Sequence, residues 1–283
     1  VGAMYKDKIN NFFLFEFNSV HECVQYCKTA KINTKVFGSS PSSVREGSSF
    51  SGVESLEKAY EMATDGWDEG YKQVLNNLNT LKVNTNTKNH KFQERISVEG
   101  YTPCVPRAII GHPETMFQGT MIPFKNKIVD VFVQNANSCS VASDTIIKVG
   151  IVACNYINEI EAKGYRTNLY SLESEKNGDE TCVYITKVKD SREQLSLKRI
   201  VFPLAHSAML RRIYFRVLET SDVHSGWASG YGQPNDQIGK DYIAKKYPKA
   251  FMFPSQRSVT YNSTDTPMTY LEKVWGWNEF KIE

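Results

Sequence analysis

Between Ile128 and Ile146 the chain reads IVDVFVQNANSCSVASDTI, an apolar run that gives way to Asn135, Asn137, Ser138 and Cys139. Amide and hydroxyl oxygens are hard donors that suit Mg²⁺ or a hydrogen-bonded ligand, whereas a thiol is soft and poorly matched to such an ion. Lys127 to Gln134 predicts a strand, and Ser143 to Lys163 predicts a helix with Ile147, Ile151, Tyr156 and Ile160 on its apolar side. The polar cluster therefore falls in the turn at a strand's carboxyl end, where open α/β sheets hold ligands. The same oxygens would equally serve a plain turn that caps the helix.

Other chemistry is sparser. His21, Cys23 and Cys27 carry helical spacing, but no second Cys/His pair at ligand spacing follows, so buried apolar thiols are expected rather than zinc. A hydrolytic site needs a nucleophile beside a base, and the histidines are His21, His90, His112, His206 and His224. His206 lies in an apolar run and reads as a core residue; His224, two residues after Asp222 at an expected strand end, is better placed. No nucleophile elbow, P-loop or dinucleotide fingerprint occurs, and the expectation is a protein without enzymatic activity. Lys198, Arg199, Arg211 and Arg212 near Tyr214, and a second group at Lys240, Lys245, Lys246 and Lys249, combine cations with aromatic surfaces in the manner of single-stranded nucleic-acid binders. Their alternatives are a solvated helix face and a helix C-terminus.

Elements to position these residues can be read along the chain. Residues 5–37 predict a strand and a helix capped at Ser19, 38–52 (GSSPSSVREGSSFSG) a loop, and 53–81 amphipathic helices interrupted near Gly66 and Gly70. Residues 82–95 are polar and read as a connector. GYTPCVPRAIIGHPETM, 100–116, holds too many breakers for one element, so an ordered turn-rich segment anchored on the core by Val105, Ile109, Ile110 and Met116 is expected. Strands are predicted at 128–134, 166–172, 182–188 and 213–218, all in one sheet with the first two parallel, and a helix over 195–210 kinked or broken at Pro203. Strands alternating with helices give an α/β layer fold with a mostly parallel sheet flanked by helices. The expected divisions are a strand and helix at 5–37, a loop at 38–52, a helical and turn-rich segment at 53–124 packed on the core, the α/β core at 125–222, and a Gly-rich loop with an irregular aromatic segment at 223–283.

Composition bounds the rest. The 283 residues carry 34 basic and 31 acidic side chains, a formal net charge of +3, and 41% hydrophobic residues, enough for a sizeable core. Near balance announces neither a nucleic-acid nor a membrane partner. Scattered cysteines suit reduced thiols, and the N-terminus lacks a secretory layout, so a cytoplasmic protein is expected. The opening Val-Gly-Ala-Met, 1–4, reads as an expression scar ahead of Met4.

The strand VDVFVQ, the turn NANSC, the helix ending EAKGY, and the strands RTNLYSL and FRVLETSD resemble a von Willebrand factor A-like domain over about residues 125–222. That resemblance implies a Rossmann-like core and a Mg²⁺ site built on a turn of the form Asp-x-Ser-x-Ser. Matching puts Asn135, Asn137 and Cys139 at the three turn positions, Asp190 and Ser191 at a second metal loop, and Thr220 or Asp222 at a third. All three turn positions depart from the pattern and remove its anion, so a degenerate site without a tightly held ion or other cofactor is expected. FSGVESLEKAYEMATDGWDEGY, GYTPCVPRAIIGHPETM and PLAHSAMLRRIYF are similar to an uncharacterised bacteriophage and prophage protein family. Together these imply a phage-encoded protein-binding or assembly module, in the host cytoplasm or on the virion. Its partner would be a host factor, a virion component or an AAA+ ATPase. The alternatives are a single-stranded nucleic-acid-binding protein and a metal-dependent adaptor of such an ATPase.

Overall fold

The computed structural model describes residues 5–9, 11–45, 47–80, 90–123, 128–162, 164–223, 226–227, 231, 233–248 and 250–253. Tyr5–Ile9 (β1) and Phe12–Phe17 (β2) form a hairpin. Ser19 Oγ accepts from Glu22 N at 3.0 Å and starts Val20–Thr29 (α1). The loop expected at 38–52 contains two single helical turns, Ser42–Arg45 (α3) and Ser48–Ser51 (α4), after Thr34–Phe37 (α2). Leu56–Asp65 (α5) and Asp68–Thr80 (α6) follow; the break falls at Gly66, with φ 97, while Gly70 continues the helix. His90–Ser97 (β3) occupies part of the expected connector. With Thr102–Pro103 (β4) and Met116–Pro123 (β5) it forms a separate three-stranded sheet, β3-β5-β4, and Val105–Ile109 (α7) lies between β4 and β5 in the chain. The ordered segment at 100–116 is thus present, but Val105, Ile109 and Ile110 are exposed at 58%, 78% and 75%, not buried against the α/β core.

Ile128–Gln134 (β6), Ser143–Ala162 (α8) and Arg166–Asn177 (β7) make the expected parallel βαβ unit. Glu180–Lys189 (β8) turns back antiparallel to β7 across Gly178, φ 59. Leu197–Ala205 (α9) contains Pro203, and a π-helical turn at Met209–Tyr214 leads into Phe215–Glu219 (α10). Residues 213–218 are therefore helical and do not add a strand to the sheet. Ile213, Tyr214, Phe215, Val217 and Leu218 are all buried and only Arg216 is half-buried, so burial does not alternate as it would along a half-exposed strand. Gln233–Pro234 (β9), Asp236–Lys246 (α11) and Phe251–Phe253 (β10) replace part of the irregular C-terminal segment.

The main sheet runs β1-β2-β8-β7-β6-β10, with β9 paired to β7. The five consecutive strands from β2 to β10 pair mostly in parallel, the exception being the β7–β8 hairpin. One face carries Phe13, Val131, Val133, Leu169 and Tyr184 beneath the helices of the chain's first half, α8, α9 and the π turn. The other carries Phe132, Leu172, Val183 and Ile185 against Ile243 of α11. Burial on both faces explains the nearly continuous apolar runs of β2 and β6.

Two guanidinium groups fasten the short helices to this frame. Arg211, 1% exposed, donates to four acceptors: Phe50 O at 2.7 Å, Ser143 Oγ at 3.4 Å, Ser138 O at 3.2 Å and Val141 O at 2.7 Å. Its Cζ also lies 4.1 Å from the Phe50 ring centroid, within cation–π range. Arg212, 0% exposed, donates to Ser43 O at 2.7 Å, Val44 O at 3.1 Å and Val53 O at 3.2 Å. Arg211→Ala would leave buried carbonyls without donors, and a loss of about 3 kcal/mol or more is expected in urea unfolding. Arg211→Lys should not restore stability, because an ammonium lacks the planar fork that reaches all four acceptors. In both variants limited proteolysis should cut between 38 and 52, where the wild type resists; resistant variants with unchanged urea midpoints would show that the loop is held by other contacts.

Candidate functional site

The turn after β6 is a structural joint. Asn135 N donates to Leu172 O at 2.7 Å, and its Nδ2 donates to Ser171 Oγ at 2.6 Å and Pro203 O at 2.8 Å. Pro203 lies in the last turn of α9, so its carbonyl is one of those without an intrahelical donor, and Asn135 supplies one. Tyr214 OH completes the joint with 2.8 Å to Ser171 Oγ. Asn137 Nδ2 donates to Asn135 O at 2.7 Å, Ser138 Oγ lies 3.1 Å from Ser140 Oγ, and Cys139 is exposed.

The other residues of the expected metal site lie elsewhere. Because β8 runs antiparallel to β7, Asp190 and Ser191 emerge at the sheet edge opposite the turn. Ser191 N donates to Asn168 Oδ1 at 2.7 Å, four residues along β7 from the neighbour of Asn135 and so roughly 13 Å away along the strand. Arg192 and Lys187 bond the Asp190 carboxylate and hold its pKa well below the usual range. Thr220 and Asp222 follow the helix α10 rather than a strand, and Thr220 Oγ1 sits 2.7 Å from Tyr26 OH of α1. His224 lies outside the described residues. Among the described residues no three Asp, Glu, His or Cys side chains are grouped to hold a metal. The donors thus do not fit the Mg²⁺ that the turn's resemblance implies: Asn135 presents its amide hydrogens to oxygens already in place.

The expected nucleic-acid patch is also divided. Arg199 is exposed and Lys198 bonds Asp68 at 2.7 Å, but Arg211 and Arg212 are buried with their donors turned to backbone carbonyls. Lys246, in the second basic group, is paired with Glu16 at 2.6 Å.

What the structure does assemble is a groove of about 890 Å³ beside the same turn, walled by α4, α5, α6 and the start of α8. Ser48, Ser49 and Gly52 form one side and Ala142, Ser143 and Asp144 another. Its acidic lining is Glu54, Glu61, Asp68, Glu69 and Asp144, against Lys58. Lys58 pairs with Glu61 at 2.8 Å. Trp67 and His206 are also in the lining, and both are buried, His206 to 4% exposure.

His206 reaches this position because α9 ends there in an extended conformation, φ −87 and ψ 131, before the π turn begins. Phe202 stacks on the imidazole at 5.1 Å and Trp67 meets it edge to face at 4.5 Å. Its Nδ1 accepts from Ala208 N at 3.0 Å, so the proton of the neutral ring is on Nε2. Burial lowers its pKa to about 4. Nε2 has no acceptor among the described residues. Gly52 packs close against the ring, since a Cβ there would lie 2.9 Å from His206 Cε1 and 2.7 Å from Ser207 Oγ, too near for either. The reading of His206 as a core residue is correct for its burial and misses its place in the groove lining. The signal for the groove was available in the segment 54–69, where six acids face one lysine.

Fold and site together define a mixed α/β protein with a polar groove at the carboxyl end of β6. Residues 6–275 match the model of a family described as Domain of unknown function (DUF7192), and the chain belongs to that family. No curated protein and no solved structure was found to match it.

Two outcomes test this geometry. Asn135→Asp should lower stability by about 1–3 kcal/mol, with no recovery on adding Mg²⁺, because a carboxylate would face the Pro203 carbonyl. A Mg²⁺-dependent rise in the urea midpoint would instead restore the metal reading. For His206 the folded pKa is depressed, so the unfolded chain takes up the proton first as pH falls. Stability relative to a His206→Phe variant should be constant above about pH 6.5 and decline by about 3 kcal/mol towards pH 4. Comparing the two proteins removes the opposite slope of Glu173, whose pKa burial and Glu175 raise. A pH-independent difference would show that His206 is solvated.

Proposed function

We propose that the protein is a non-enzymatic binding module whose working surface is the groove between α4, α5, α6 and the start of α8, and whose partner is a protein. The observation that carries this reading is the state of the imidazole in the groove lining. Its Nδ1 lone pair is occupied by the Ala208 amide and its Nε2 carries the proton, so it donates a hydrogen bond but has no lone pair with which to act as a base. Ser143 Oγ, also in the lining, donates to Phe50 O at 2.8 Å rather than standing beside a base. Rigid walls support recognition as well: the Arg211 bonds hold α4 and the start of α8 together before any partner arrives.

The wider reading, a phage-encoded assembly module on a degenerate von Willebrand A-like core, rests on the sequence resemblance. On that reading the partner is a host factor, a virion component or an AAA+ ATPase. The burial of Arg211 and Arg212 removes the main support for single-stranded nucleic acid, and the placement of Asp190 removes that for a metal-dependent adaptor. No helix among the described residues is long and apolar enough to cross a membrane.

A photo-cross-linking side chain placed at the exposed Ser49, with a control at the exposed Lys240 of α11, tests the reading in cells that make the protein. A discrete protein adduct at Ser49 alone, lost in the groove-filling Ser49→Trp protein as read from a cross-linker at Glu61, is the expected result. Adducts at both positions alike, or adducts to nucleic acid, would overturn it.

A further inference from the structure

Large apolar side chains left in water are concentrated at one end of the small sheet. Among the described residues eight are exposed, and five of them, Val98, Tyr101, Val105, Ile109 and Ile110, fall within residues 98–110 at 58 to 78% exposure. The strand register brings them together. β3 and β5 pair from His90 with Pro123 to Ser97 with Met116, and β4 pairs with the Met116–Phe117 end of β5. Residues 98–101 and 104–115 therefore both lie beyond that end, while the chain enters and leaves the sheet at the other, roughly 24 Å away along the strands. Backbone bonds shape this tip: Tyr101 N donates to Phe117 O at 2.9 Å, Cys104 N to Thr115 O at 2.6 Å and His112 N to Arg107 O at 3.0 Å. Gly100 is required by the same packing, since a Cβ there would lie 2.1 Å from Phe117 O. Among the described residues, neither apolar core includes any of 90–123, so the side chains of the tip contribute to neither.

We propose that this tip is a self-association surface, and that its occupant is the same tip of a second copy of the chain across a two-fold axis. Five side chains of this size at that exposure present roughly 500 Å² of apolar surface, near the upper end of the largest patch on an ordinary monomer. Two tips pressed together remove about 1,000 Å² from water, the lower size limit of a specific interface. A two-fold contact also closes on itself instead of growing into fibres. Charge favours a second copy over a membrane or nucleic acid. Residues 98–115 carry Glu99, Arg107 and Glu114, a net −1, which an anionic lipid surface or a phosphate backbone would repel. Arg107 and Glu114 form a loose pair at 3.8 Å, with side chains 37% and 51% exposed. Across the axis each meets its opposite in the second copy, so the tip complements itself and buries no charge alone. The surface is separate from the groove, whose lining includes no residue of 90–123.

Sedimentation equilibrium of the full chain over about 1–300 μM tests the proposal, because an interface at the lower size limit dissociates in that range. A monomer–dimer equilibrium is expected. Ile109→Lys, at a side chain 78% exposed where the fold loses little burial, should weaken the dimer about tenfold or more. Leu75→Lys on α6, a control at another exposed apolar residue, should leave it unchanged. A photo-cross-linking side chain at Ile110 identifies the occupant. The expected product has twice the mass of the chain, with the adduct inside residues 98–115 of the second copy. A chain that stays monomeric throughout the range, or an Ile109→Lys protein that dimerises as well as the wild type, would overturn the proposal. So would an equal loss in Leu75→Lys, an adduct to residues 254–283 of the same chain, or a doubled product joined outside 98–115.

Discussion

Buried guanidinium groups that donate to backbone carbonyls are the constraint on which the helical side of this protein depends. Arg211 and Arg212 are adjacent, and both are removed from water, yet they serve different strings of carbonyls: one at Phe50, Ser138 and Val141, the other at Ser43, Val44 and Val53. The Gly-, Ser- and Pro-rich stretch they bind has little apolar surface with which to bury itself. It is ordered by polar bonds instead, joined by Glu219, which accepts from Ser43 N at 2.8 Å and from Tyr231 OH. Burial lowers the Arg211 pKa, but a guanidinium keeps its proton in proteins, so the buried charge needs its carbonyl partners in place. The π turn has a structural reason here. More residues per turn let adjacent side chains diverge less, so both arginines point toward the same stretch of chain.

That arrangement also explains which parts of the fold were legible. The βαβ unit of β6, α8 and β7 follows from helical periodicity between two apolar runs, and it is present with the expected parallel pairing. IYFRVL at 213–218 is a six-residue apolar run, too short for periodicity to separate strand from helix, and the neighbouring arginines decide it by requiring a helix that faces α3 and α4. The direction of β8 had a signal that the α/β pattern masked. Gly178-Asp179 between two β-rich runs is a two-residue hairpin turn, and reading it would have sent Asp190 to the far end of the sheet. The exposed apolar side chains of 100–116 could not be placed by composition, because nothing in the segment itself says that β3 and β5 pair with each other rather than with the core.

The site was legible in position more than in chemistry. The turn at Asn135 does stand at the carboxyl end of an inner strand, as its place in the strand–helix pattern requires. Its amides face inward because two buried acceptors, Ser171 Oγ and Pro203 O, lie beneath them, and neither is visible from the turn's own sequence. The groove a few residues further on depends on pieces far apart in the chain: Gly52 lets the backbone pass close to the imidazole, α9 is capped by His206, and α8 begins at Ser143. Only the tertiary fold brings them together.

Charge distribution links the arginine clamps to the groove. Taken whole, the chain is nearly neutral at +3, which argues for no particular partner. Segment 54–69 alone carries six acids and one lysine, or −5, which leaves +8 on the remainder. Net composition thus conceals a separation of charge along the chain. Folding decides whether that separation matters, since charges scattered around a surface at distances beyond about 10 Å are screened by salt. Here α5 and α6 turn several of the acids toward one groove, and the carbonyl bonds of Arg211 bring Ser48, Ser49 and Asp144 to its other walls. The two cations nearest in sequence to the groove's histidine could have neutralised those acids, but their donors are directed into the backbone of the 43–53 stretch and the 138–143 turn. The same bonds that order the walls therefore keep both of these cations out of the groove.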